Sequence, residues 1–154
     1  MEKNDLTIQE WHKKQAIENF NSTWDLIDKG DRTKNEELEM IHTAHASRFH
    51  WGKVGTPLHF ARGEWQISRV YSILNMGESA LYHGNESLKL CIDNSIEDFD
   101  LAFAYEALAR GYKVLGNASE CEEHCVKAFE ASKSIKDEKD KEYFLLELNS
   151  LSVT

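Results

Sequence analysis

The sequence predicts an all-α fold of about seven helices, arranged as stacked antiparallel hairpins, and three observations carry that expectation. Pro57 is the single proline among 154 residues, so the chief helix breaker is almost missing. β-Branched residues never gather into the alternating runs that a half-buried strand needs. Two long stretches also share one pattern at a fixed offset. Tyr71 and Tyr112 lie 112 − 71 = 41 residues apart, and Leu74 and Leu115, Arg69 and Arg110, His83 and His124, and Leu88 and Phe129 keep that spacing. A fixed period in this range marks stacked helical hairpins.

Taken in order, the elements have recognisable starts and stops. Thr7-Ile-Gln-Glu10 reads as a capping box opening a helix from about residue 8 to the stop at Gly30. Ile17, Phe20, Trp24 and Ile27 then share one face. That face needs a cover. Thr33-Lys-Asn-Glu36 opens a second helix, expected to end near Trp51 at Gly52, with Leu38, Ile41, His45 and Phe49 as its stripe. Gly52-Lys-Val-Gly55 is a connector, since its residue order is wrong for a phosphate loop and no strand precedes it. Thr56-Pro57 starts a third helix, with the hydroxyl as cap and proline in the first turn, where a missing N–H does no harm. Asp98 and Ser119 are the expected caps further on. Phe144, Leu148 and Leu151 form one side of a last helix.

One domain of residues 1–154 is expected: a helical pair at 8–52, repeats at 57–94 and 98–135, and a covering helix at 137–151. The net charge of −9 argues against nucleic acid or an anionic membrane as the main partner, because both require a basic face. No apolar stretch reaches bilayer-spanning length, and the N-terminal residues lack an apolar signal core. Three cysteines without a secretory signal fit free thiols in a reducing compartment. A cytoplasmic protein is expected.

The 101–130 stretch resembles a tetratricopeptide repeat. Tyr105, Leu108, Ala109 and Tyr112 match the first helix, Gly116 the turn, and Cys121, Cys125 and Ala128 the second helix, with the two cysteines as substitutions. Glu64, Ile67, Ser68 and Tyr71, then Ala80, Gly84 and Ser87, repeat the design upstream. The family's usual period is about 34 residues, so helices about two turns longer per unit are expected here. The resemblance implies a short right-handed array whose first helices line a concave groove. In that register Arg62, Trp65, Arg69, Phe103, Glu106, Arg110 and Lys113 face the groove.

Four basic residues against Glu106 leave that groove positive within an acidic protein, which implies a non-enzymatic module for an acidic peptide, a chain terminus or a small anion. Glu106 offers a competing explanation. It lies one turn before Arg110 and next to Arg69, so an internal salt-bridge ladder is the alternative to a ligand site. A metal-dependent or hydrolytic enzyme built on His42, His45 and His50 is a second function class; it lacks a local acidic residue and a His-Glu-x-x-His pattern. No motif calls for a cofactor or names a catalytic residue. A self-associating scaffold, pairing exposed aromatics such as Trp11 in a homodimer, is a third.

Overall fold

A computed structural model describes residues 5–152 as seven helices with no strand among them. They are α1 (Ile8–Asp28), α2 (Lys34–Val54), α3 (Pro57–Ile73), α4 (Gly77–Asp93), α5 (Asp98–Val114), α6 (Ala118–Ser132) and α7 (Glu138–Ser152). Helices α1 and α2, α3 and α4, and α5 and α6 pack as hairpins; α3 also meets α5, and α7 rests on α5 and α6.

The 41-residue offset reappears in the element boundaries. Helices α3 and α5 begin at 57 and 98 and end at 73 and 114, so both differences are 41. Their partners begin at 77 and 118, again 41 apart. The turns correspond as well: Asn75 (φ 61°) and Gly116 (φ 77°) both take the left-handed conformation, which asparagine and glycine tolerate better than other residues.

Both expected capping boxes form. Thr7 Oγ1 accepts from the Glu10 N–H at 3.1 Å, and Thr33 Oγ1 from Glu36 at 3.1 Å. Three boundaries differ from expectation. Helix α2 runs through Gly52 to Val54, with Gly55 as its cap residue. An interior glycine costs only about 1 kcal/mol, and the Trp51 ring, stacked 3.9 Å from His59, holds that last turn in place. Asn117, rather than Ser119, caps α6 by accepting from the Glu120 N–H at 3.1 Å. Helix α3 opens with a box that involves a histidine: the Thr56 N–H donates to His59 Nδ1 at 3.1 Å, and Thr56 Oγ1 lies 3.2 Å from the same nitrogen.

Small residues set the helix spacing. A Cβ on Gly84 would stand 3.2 Å from Leu108 Cδ2, and one on Gly111 would stand 2.8 Å from Leu81 Cδ2. Buried serines bond across two of the hairpins: Ser47 Oγ donates to the Ala16 carbonyl at 2.8 Å between α2 and α1, and Ser68 to Ala80 at 2.7 Å and Ser87 to Ala61 at 2.8 Å between α3 and α4. A satisfied hydroxyl of this kind contributes about 1 kcal/mol, whereas an unsatisfied one would cost more.

The stripes of the first two helices are displaced from expectation. Met40, Ala44 and Ser47 are the buried line of α2, while Leu38 and Phe49 are exposed. In α1 the tightly buried residues are Ala16 and Thr23; Ile17 is exposed, and Phe20 and Trp24 are only half-buried. Close packing selects the small residues for the α1–α2 contact and turns the aromatic stripe of α1 elsewhere. Phe144, Leu148 and Leu151 are all buried under α7, against Ala102, Phe103, Ala109 and Ala128.

Candidate functional pocket

The half-covered stripe of α1 forms one wall of a cavity of about 570 Å³. Phe20 and Trp24 come from α1, Ala61, Arg62 and Trp65 from α3, Phe99, Asp100 and Phe103 from α5, and Asp140 and Tyr143 from α7. Its volume falls within the range of about 300–1,000 Å³ in which small-molecule sites occur. A smaller neighbouring cavity of about 170 Å³ shares Phe20 and Arg62 and continues to Trp51 and His59.

The rings of the pocket support one another. Trp24 and Trp65 lie 5.8 Å apart with planes tilted 31°, Trp65 meets Phe103 edge-on at 5.5 Å, and Phe103 meets Phe99 at 4.7 Å and Phe144 at 4.8 Å. The Arg69 guanidinium sits over the Trp65 ring at 5.1 Å. The indole N–H of Trp65 is buried without a hydrogen-bond partner. Rings held in this way are rigid contact surfaces.

Polar groups line the same cavity. Arg62 makes a two-pronged pair with Asp100, Nε to Oδ1 at 2.8 Å and Nη2 to Oδ2 at 3.1 Å. Asp98 Oδ1 accepts from the Phe99 N–H at 2.7 Å, and its Oδ2 from the Lys136 N–H at 3.3 Å, which ties the start of α5 to the approach to α7. Asp140 is exposed in the first turn of α7. Burial first, then the charge of Glu147, raises the Tyr143 phenol above its usual pKa.

The seven residues expected to face one groove separate into two groups. Arg62, Trp65 and Phe103 line the pocket. Arg69, Glu106, Arg110 and Lys113 instead form a ladder around the buried Glu106, closed by α7, with Arg69 and Arg110 half-buried and Lys113 at its exposed end. Glu106 is fully buried and pairs with Arg110, whose Nε donates at 2.9 Å, and with Arg69 Nη2 at 3.5 Å. Arg69 also donates to Glu147 Oε1 at 3.0 Å, Arg110 reaches the Glu147 carbonyl at 3.4 Å, and Lys113 Nζ reaches the carbonyls of Ser150 and Leu151 at 3.4 and 3.2 Å. These basic groups meet the negative end of α7 and its carboxylate. The positive charge expected from the count of side chains is thus opposed by carboxylates of the same chain, Asp100 for Arg62, Glu106 for Arg110 and Arg69, and Glu147 of α7 for Arg69.

The histidines expected as metal candidates point to different places. His42 is exposed, His45 Nε2 bonds to the Tyr71 hydroxyl at 2.9 Å, and His50 Nδ1 lies 2.8 Å from His12 Nδ1. Among the described residues no group of three or more His, Cys, Asp or Glu side chains is placed to hold one ion. Another polar chain, which the sequence reading did not single out, links three helices: Arg48 Nε donates to Glu64 Oε2 at 2.8 Å, and His83 Nδ1 lies 2.7 Å from Glu64 Oε1. It is an ion-pair arrangement without a nucleophile. Trp11 packs against His12 and His50, each at 5.2 Å.

Asp98, Phe99, Asp100, Asp140 and Tyr143 were missed as site residues. The uncovered stripe on α1 was the available signal, but nothing local told that α7 would stand opposite it. Among the described residues no helix is long and apolar enough to cross a membrane. No protein-family model, no curated protein and no solved structure matches the chain.

Proposed function

We propose that this chain is a non-enzymatic, tetratricopeptide-like binding module of a reducing, cytoplasmic compartment, and that its ligand enters the aromatic pocket between α1, α3, α5 and α7. The observation that carries the reading is the uncovered stripe of α1: Phe20 and Trp24 face Trp65, Phe99 and Phe103 across a cavity of about 570 Å³ instead of being buried in the hairpin. A concave, largely apolar site with a few fixed polar groups is the usual form of a ligand pocket.

The same geometry moves the reading away from the arginine pair. Arg69 and Arg110 already have carboxylate partners in Glu106 and Glu147, so an acidic ligand would have to compete with a preorganised intramolecular one. The pocket lies beside that ladder and does not require it to open. Two buried thiols and one half-buried thiol, none in a disulfide, suit the reducing compartment.

A fluorescence and calorimetry screen of peptides and small ligands tests the proposal. Ligands found in it should lose affinity in Trp24→Ala and should protect α1, α3 and α5 in hydrogen exchange. Ligands that bind equally well to Trp24→Ala and protect another face would overturn it.

A further inference from the structure

The chemistry of the pocket narrows its ligand, on the assumption that the pocket reading above is right. We infer that the cavity takes an organic cation, an alkylammonium group carried on an apolar body, held by the tryptophan and phenylalanine rings and by the aspartates at its rim.

Two independent features of the lining lead there. The first is charge. One arginine and three aspartates line the cavity, and Arg62 spends its charge on Asp100 in the two-pronged pair. Asp98 and Asp140 remain as formal negative charges. The Asp98 oxygens are turned to backbone N–H groups, which fixes them without neutralising them. Asp140 is the carboxylate best placed to meet a cation, because it is exposed and lines the cavity, and among the described residues no Lys, Arg or His forms an ion pair with its side chain. Among the described residues no lysine lines the cavity.

The second feature is the aromatic wall. Phe20, Trp24, Trp65, Phe99, Phe103 and Tyr143 make half of the lining. A ring face attracts a cation through its quadrupole, most strongly for tryptophan. The chain already uses this interaction once in the same wall, with Arg69 over Trp65 at 5.1 Å. Aromatic faces alone would accept any apolar ligand, and carboxylates alone would accept any hydrated cation. Together in one cavity they favour a weakly hydrated ammonium with hydrocarbon attached. A carboxylate or phosphate ligand would meet Asp98 and Asp140 with like charge.

A matched series of three probes tests the inference: 4-phenylbutylammonium, 4-phenylbutanol and 4-phenylbutyrate, titrated by calorimetry and tryptophan fluorescence. The amine should bind roughly tenfold tighter than the alcohol, and the carboxylate weakest. Added salt should weaken the amine and leave the alcohol nearly unchanged. Asp140→Asn, at an exposed position, should keep the helical spectrum and lower the affinity for the amine alone. Trp24→Leu should narrow the gap between amine and alcohol. Equal or tighter binding of the alcohol or the carboxylate would overturn the cation assignment while leaving the pocket reading standing, as would a wild type that ignores the amine but binds other ligands at Trp24. An amine that binds tightly but is indifferent to both substitutions would place the site elsewhere and overturn the pocket reading with it.

Discussion

Arg110 and Glu106 form an ion pair one helical turn apart in which the carboxylate is completely buried, and Arg69 of the neighbouring hairpin closes on the same oxygen from 3.5 Å. Glu106 therefore holds two like charges together inside the protein. Glu106→Gln leaves both guanidinium groups opposed, and removing one member of a buried pair typically costs about 3–5 kcal/mol. A loss of that size in a urea or thermal melt is expected. Arg110→Ala should also destabilise, because it exposes Glu106 to burial with a single partner at longer range. The double variant should be less than additive. Unchanged melts for both single variants would show the ladder to be dispensable.

Ala109 is fully buried in the cluster that α5, α6 and α7 share. Ala109→Leu adds three carbons at a fully buried position in that cluster. We expect a loss of roughly 1–3 kcal/mol in chemical denaturation, with the helical spectrum kept at low denaturant. A neutral result would mean that the two layers are loosely packed.

Burial pushes the Cys91 thiol up to about 12 and the Cys125 thiol up to about 11, the latter helped by Cys121 beside it. The thiolate is the reactive form, so neither should react appreciably with a disulfide reagent near pH 8 in the folded protein. All three cysteines should titrate after denaturation. Fast labelling of Cys125 in the native state would contradict the raised pKa of its thiol.

His45 is held below its usual pKa, first by burial and then by His83, with the nearby Glu64 acting in the opposite sense and His42 in the same one. A histidine depressed in the folded state stabilises the protein above its unfolded pKa, about 6.5, and that contribution is lost as the pH falls through the folded value. The melting temperature should drop between about pH 7.5 and about pH 5.5, above the range in which most carboxylates titrate. His45→Gln should flatten the drop while keeping a partner for the Tyr71 hydroxyl. His50 and His59, also depressed chiefly by burial, add to the same trend, so a residual slope is expected. A flat wild-type profile would argue against all three environments.

The sequence by itself determined what is local or periodic. Capping boxes at Thr7 and Thr33, proline at the start of α3 and left-handed turn residues at Asn75 and Gly116 act within a few residues, so they are legible before folding. The 41-residue offset is likewise a property of the chain, and it reappears in where α3 to α6 begin. What only the tertiary structure decided is which polar groups find partners and which apolar faces stay open. Arg69 and Arg110 look alike in sequence whether a ligand or Glu147 neutralises them, because the deciding carboxylate lies 147 − 69 = 78 positions from Arg69. Trp24 reads as core in its own helix. It became a pocket wall because Ala16 and Thr23, being small, took the close contact with α2, and because α7, far along the chain, brings Asp140 and Tyr143 to the same cavity.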